Sequence, residues 1–146
     1  MQKLVMACYD GRMNTEQIKH LETFGTAAAR VIWAKLVKMY SPKLHTNMPR
    51  VVLNNRFKTC GGVCKVDIRV IELSTEMFWH NQEEYLTVII PHEIIHLVDY
   101  DLTGNVGHGP TWKEIMRAYG LPPNRLHTLT NPIQDARVKA RAAKCK

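Results

Sequence analysis

The sequence predicts one α+β domain. Three patterns carry that expectation: apolar residues at three- and four-residue steps from Thr15 to Met39, short alternating runs between Val51 and Leu73, and a return of helical spacing from Asn81 to Asp101. A length of 146 residues, 45% of them hydrophobic, suits one compact core and is short for two.

In the first segment Ile18, Leu21, Phe24, Ala28, Val31, Ile32, Leu36 and Met39 fall on one helical face. Ser41-Pro42 ends it, because the residue before a proline is pushed out of the α region. Val51, Val52 and Leu53 form the next apolar run, closed by the turn-prone Asn54-Asn55. With Phe57–Cys60, a Gly61-Gly62 turn and Val63–Leu73, this reads as a small antiparallel sheet of about three strands. Arg56, Lys58, Lys65 and Arg69 alternate with apolar residues there, so the polar face of the sheet is expected to be positive.

Tyr85, Val88, Ile89, His92, Ile95, His96 and Asp99 then share a helical stripe interrupted by Pro91. Either one kinked helix runs from about 82 to 101 or a new helix starts at Pro91; the kinked helix is the preferred reading. Gly104, Gly107 and Gly109 loosen the chain, Pro110 suits the start of a helix over Thr111 to Tyr119, and Gly120 with Pro122-Pro123 closes it. The domain is expected to occupy residues 1–132, followed over 133–146 by a basic tail that is a frayed helix or disordered.

Composition narrows the class. Too many apolar residues are present for an intrinsically disordered chain, and no run approaches the roughly eighteen apolar residues of a membrane span. The N-terminal MQKLVMACYDGR is too short an apolar patch for a signal peptide, so an intracellular protein, cytoplasmic or nucleoid/nuclear, is expected, with no membrane partner. Cys60 and Cys64 have the spacing of half a zinc site, but Cys8 and Cys145 are isolated, and reduced thiols are expected at all four.

Charge is unevenly placed. Residues 1–70 hold twelve basic and four acidic residues, and no acid lies between Glu22 and Asp67. Residues 71–136 hold three basic and nine acidic, and the last ten hold five basic and none acidic. Such polarity is either a solvated basic face or a surface for a polyanion, since each phosphate contact releases counterions. Lys35, Lys38, Lys43, Arg56, Lys58 and Lys65 are the candidate nucleic-acid contacts.

The chemistry concentrates in His92-Glu93-Ile94-Ile95-His96. Two histidines four apart lie one helical turn apart on one face, close enough for one metal ion, and a glutamate after the first can reach the same point. Zinc lowers the pKa of water from about 15.7 to about 7, and the Glu93 carboxylate could accept the proton released. A hydrolytic site needs a third ligand and an open position. His108 is the candidate, reached across a segment bearing Gly104 and Gly107; Asp99 and Asp101 are rivals, Asp99 reading better as a residue that orients a histidine or caps the helix. His127 stays open. His20, His45 and His80 read as structural or solvated. The metzincin pattern is excluded because Tyr100-Asp101-Leu102 stands where its glycine and third histidine belong, and a glutamate ligand is disfavoured because Glu114 lies beyond His108.

Two stretches together resemble the SprT-like, Spartan-related zinc metalloprotease domain over roughly residues 15–130. The more specific is PHEIIHLVDYDLTGNVGHGPTWKEIMRAYGLPPNRLHTL, residues 91–129: a proline before HExxH, a loop, and HG before a helix bearing an aromatic. The other is VVLNNRFKTCGGVCKVDIRVIELS, residues 51–74, with an asparagine-arginine pair, a small-residue turn and an I-x-L-S strand end.

The resemblance implies a zincin-like fold and a zinc-dependent peptidase acting on proteins bound or crosslinked to DNA, single-stranded or damaged. It implies His92, His96 and His108 as zinc ligands and Glu93 as general base. It also implies a place in DNA repair. A cysteine-based zinc ribbon, frequent after the domain in this family, is not expected here, since Cys145 is the one cysteine of that region. Arg125, Tyr119 and His127 are candidates for stabilising the oxyanion. The rival class is a non-catalytic DNA-binding module with a structural zinc, and a third is a zinc hydrolase of small molecules, which would need a deep closed pocket.

Overall fold

In the computed structural model of the chain, residues 13–44, 47–124, 127 and 129–144 are described, the side chains of 143 and 144 excepted. The N-terminal apolar patch, Cys8, His45, Arg125 and Cys145 lie outside the described residues. Helix α1 (Thr15–Tyr40) starts at a reciprocal cap in which the Asn14 side chain accepts from Gln17 N–H and the Gln17 side chain from Asn14 N–H. It ends at Ser41, as the proline dictates. Its buried face is rotated from the expected stripe. Gly25, Ala29 and Trp33 are buried with Leu21, Ile32 and Leu36, whereas Phe24, Val31 and Met39 are exposed.

Strands β1 (Arg50–Asn54), β2 (Gly62–Lys65) and β3 (Val70–Ser74) form one sheet in the order β1-β3-β2. The sheet is mixed, which corrects the antiparallel expectation: β1 runs parallel to β3, with Val51 opposite Ile71, and β2 antiparallel to it, with Cys64 opposite Ile71. Residues 55–61, read in part as strand, instead carry the chain past the position of β3 to the far edge, and β3 then returns between its predecessors. A two-residue alternation states that a strand is half-buried and says nothing of its neighbour. The long strand expected over Val63–Leu73 is broken by a turn at 66–69, where Arg69 adopts φ 55°. Its guanidinium binds Asp101 twice, at 2.7 and 3.1 Å, and the Asn47 carbonyl, which offsets the strain of a left-handed arginine.

After α2 (Thr75–His80), the chain is helical from Gln82 to Thr103 in three joined pieces. These are α3 (Gln82–Glu84), a π-helical turn over Tyr85–Ile89, and α4 (Ile90–Thr103). The continuous helix is thus observed, and the wide turn is how it admits Pro91. The Ile90 N–H reaches back five residues to Tyr85 O, so the widened turn lies directly ahead of the ring. Gly104 closes α4 in the left-handed region (φ 76°), α5 spans Pro110–Tyr119, and α6 spans Pro132–Lys144, so the described part of the expected tail is helical.

Helix α4 is the centre of the molecule, packed on α1, β2 and α5. Ile94, Ile95, Leu97 and Val98 are buried in the one core they share with Leu21, Leu36, Ile71, Leu73 and Trp112. Among the described residues no helix is long and apolar enough to cross a membrane.

Candidate metal centre

Helix α4 carries His92 and His96 one turn apart, with buried Ile94 on its other side and buried Ile95 beside them anchoring that turn in the core. The segment after Gly104 returns to it, through Gly107 (φ 89°), and sets His108 two residues before α5. The three imidazoles converge: His108 Nε2 lies 3.2 Å from His92 Nε2 and 3.1 Å from His96 Nε2, and the three candidate ligand atoms all fall within 4.8 Å of one another.

That spacing fits a shared cation. One imidazole nitrogen carries either one proton or one lone pair, so His108 Nε2 cannot make two good hydrogen bonds to two other ring nitrogens. Zinc–nitrogen bonds of about 2.0–2.1 Å in a tetrahedron place ligand nitrogens about 3.3 Å apart, close to the observed distances. Burial, with the neighbouring His108 and His127 rings, lowers His92 to about 4. Burial, with His92 and His108, lowers His96 to about 3. Both rings are therefore neutral at pH 7, the state a metal ligand needs. The main chain of Gly107 is hydrogen-bonded to His96 and orients that ring. This trio can hold a metal ion.

Glu93 is 7% exposed, and its Oε2 lies 3.8 Å from His92 Nε2. Burial pushes its carboxyl up to about 8, and a dication beside it would act in the opposite direction. Gly62 leaves room opposite: a Cβ there would crowd Glu93 Cγ at 3.3 Å and the Glu72 carbonyl at 3.2 Å. A cleft of about 500 Å³ runs from the imidazoles and Glu93 between Thr59–Gly62 on one side and Val88, Met116, Pro122 and Leu129 on the other.

The rivals of His108 are placed elsewhere. Asp101 is held by Arg69, and Asp99 accepts a hydrogen bond from Thr103 Oγ1 at 3.0 Å. Exposed Glu114 stands outside the cluster. His127 lines the cleft but bonds the Thr59 carbonyl, and Tyr119, engaged through its ring and carbonyl by Lys35, does not line it. His20 packs on Phe24 and bonds Gln82, and half-buried His80 is not part of the cluster.

The expected positive face of the sheet is largely neutralised. Lys58 pairs with Glu76, Lys65 with Glu72 at 2.7 Å, and Arg69 with Asp101. Of the candidate nucleic-acid contacts, Lys38, Lys43 and Arg56 are exposed, and Lys35 lies 3.8 Å over the Tyr119 ring. Cys60 is exposed at the cleft, and burial pushes the Cys64 thiol up to about 12, so it stays protonated.

Trp112, the aromatic of the helix after His108-Gly109, is the residue to which sequence reasoning gave no role at the site. Fully buried, it touches all three imidazoles, with ring centres 4.8 Å from His92, 5.2 Å from His96 and 4.6 Å from His108. Its position four residues after His108, on the helix that follows, was the available signal.

Comparison with known proteins places the chain. The SprT-like family model matches residues 18–131. Protein SprT of Pseudomonas syringae pv. tomato is 39% identical over 70 residues, which are 46% of this chain and 43% of that protein. Protein SprT of Pseudomonas aeruginosa (strain LESB58) is 34% identical over 86 residues, 56% of this chain and 52% of that protein. The matched stretch thus spans about half the length of these curated relatives. No solved structure matches the chain. With residues 18–131 matched, and the three converging imidazoles and Glu93 inside that stretch, the chain belongs to the SprT-like family.

Proposed function

We propose that the chain is a zinc-dependent endopeptidase of zincin-like architecture, acting on proteins bound or crosslinked to DNA. The observation that carries this reading is the buried Glu93 carboxylate, 3.8 Å from His92 Nε2, beside three nitrogens that converge on one point and face an open cleft. His92, His96 and His108 would hold the zinc. When bound, zinc supplies Lewis acidity, bringing the pKa of water down to about 7 and polarising a carbonyl.

Glu93 Oε2 accepts the proton of the attacking water and returns it to the leaving amine nitrogen. Burial of Glu93 beneath the Gly62 edge excludes competing solvent from that carboxylate. The substrate main chain is held by the free edge of β2. Gly61 accepts from Ser74 N–H at 3.0 Å, so by alternation Gly61, Val63 and Lys65 bond β3, and Gly62 and Cys64 turn their main-chain groups outward, the Gly62 carbonyl accepting a weak bond from Cys60 Sγ at 3.4 Å that a substrate N–H would replace. Pairing on that edge reads little side-chain sequence, which suits an enzyme of broad protein substrates.

A structural zinc is closed by four protein ligands. Three ligands facing a cleft favour catalysis over the structural-zinc module, and an open groove favours a polypeptide over a small molecule. The DNA partner is supported by the long acid-free stretch between Glu22 and Asp67 and by exposed Lys38, Lys43 and Arg56. The test is Glu93→Gln with a DNA-binding protein as substrate, with and without single-stranded DNA. Zinc content should be unchanged and cleavage should fall by about 10²–10⁴-fold. Cleavage by the variant at the wild-type rate would sink the mechanism, and equal rates with and without DNA would remove the DNA partner.

A further inference from the structure

The edge that faces the cleft is longer than the strand that sheet bonding supports. Strand β3 ends at Ser74, whose N–H is bonded to Gly61 O. Upstream of Gly61, the wall formed by Thr59 and Cys60 has no strand beside it among the described residues. Its main chain is held instead by side chains that arrive after α5. His127 Nε2 lies 3.1 Å from Thr59 O, and Asn131 Nδ2 donates to Lys58 O at 2.8 Å.

Both holders are fixed in turn. Leu129 N–H donates to His127 Nδ1 at 3.2 Å, so the proton of the neutral ring sits on Nε2 and points at Thr59. The ring also packs on Gly61, where a Cβ would come within 3.1 Å of His127 Cδ2. Asn131 is 7% exposed; its Oδ1 accepts Gln134 N–H and so caps α6, leaving its amide free to donate. Asn81 holds the Thr130 carbonyl at 2.8 Å. On α6, Arg137 binds the buried Glu76 carboxylate at 2.6 and 2.9 Å, and Glu76 also binds the side chain of Lys58.

We propose that His127 and Asn131 are positioning residues for the substrate: they hold Lys58 and Thr59 so that the pairing edge of β2 is extended by Cys60 along the cleft. The Thr59 and Gly61 carbonyls are turned inward, onto His127 and onto Tyr85 Oη and Ser74, and exposed Cys60 between them lines the cleft next to the start of β2, its thiol on the Gly62 carbonyl at 3.4 Å. The effect is on substrate binding and not on bond breaking, and it rests on the peptidase reading above.

The test uses the full zinc-loaded chain and a quenched-fluorescence peptide of casein sequence. Asn131→Asp keeps the oxygen that caps α6 and removes the donor; His127→Phe keeps a ring on Gly61 and removes the donor; His127→Gln retains an amide donor. For the first two, KM should rise about fivefold to tenfold with kcat held within about twofold, and zinc content should not change. The Kd of the same peptide on a Glu93→Gln background should rise in parallel, amide exchange over residues 58–62 should quicken, and His127→Gln should recover most of the loss. A fall in kcat at constant KM, or faster exchange with KM and Kd unmoved, overturns the assignment. If the wild type neither binds nor cleaves the peptide, the peptidase reading fails and this one with it; cleavage by wild type and variants alike removes this one alone.

Discussion

The indole of Trp112 lies nearly parallel to the imidazole of His96, at 20° with ring centres 5.2 Å apart, while it meets His92 and His108 edge-on. One fully buried aromatic side chain therefore backs all three rings of the centre. Trp112→Ala should cost about 3–5 kcal/mol of stability, by lost burial and an unfilled cavity. It should also weaken zinc binding, because the rings lose the wall that limits their rotamers. Urea unfolding of chelated protein and a zinc-buffer titration measure the two effects separately; a variant with wild-type zinc affinity would show that the wall is not needed for ligation.

His108 is the imidazole that joins the segment after α4 to the pair on α4. His108→Ala leaves two imidazoles one turn apart, and zinc affinity should fall by about 100-fold or more. Metal content after dialysis against a zinc buffer checks this. Retention of wild-type affinity would mean that His108 is not a ligand.

Asp101 stands two residues before the end of α4 and is held by the Arg69 guanidinium, with side chains 7% and 18% exposed. Replacing it by alanine leaves a mostly buried cation with half its partners, at a cost of about 3–5 kcal/mol. Zinc affinity should change by less than about tenfold, since Asp101 takes no part in the cluster. Thermal unfolding and the same zinc titration distinguish this from a ligand role, in which affinity would collapse with stability.

The chelated protein should lose stability on mild acidification. His80 is lowered by burial, His92 to about 4 and His96 to about 3, against an unfolded value of about 6.5. Each contributes stability that is present above about 6.5 and lost as the pH falls through its folded value. Glu93, raised to about 8, has the opposite sign, its contribution being full below about 4.5 and lost as the pH rises through 8. Asp99, also raised by burial, shares the sign of Glu93. The three imidazoles outweigh these two carboxyls between about pH 6.5 and 4.5, because His92 and His96 stay neutral in the folded chain across that whole interval, so the urea midpoint should fall there. Glu93→Gln removes that carboxyl's opposing contribution, so its midpoint should fall more steeply; a shallower slope would contradict the sign assigned to Glu93.

Much of the centre was legible because it is local. A four-residue separation on a helix brings His92 and His96 together whatever the rest of the chain does. His108 was legible as the preferred candidate, since glycines on either side of Asn105-Val106 permit a reversal, but what occupies its rivals Asp99 and Asp101 was not. Their partners are Arg69, thirty-two residues before Asp101 in the chain, and a hydroxyl from Thr103 on Asp99. The face of α1 was misphased for a related reason. Gly25 and Ala29 are buried because Phe78 and Val51 approach α1 closely at Gly25, and a ranking by hydrophobicity prefers Phe24 and Val31.

Helix periods, caps and the paired imidazoles follow from interactions within a turn or two of chain, and those can be read from residue order. Strand partners, the pairing of Lys58, Lys65 and Arg69 with carboxylates, the indole wall and the anchoring of Lys58 and Thr59 by Asn131 and His127 all join residues far apart in that order. They arise only when packing closes the chain, because burial and charge pairing act on distance in space and leave no period behind.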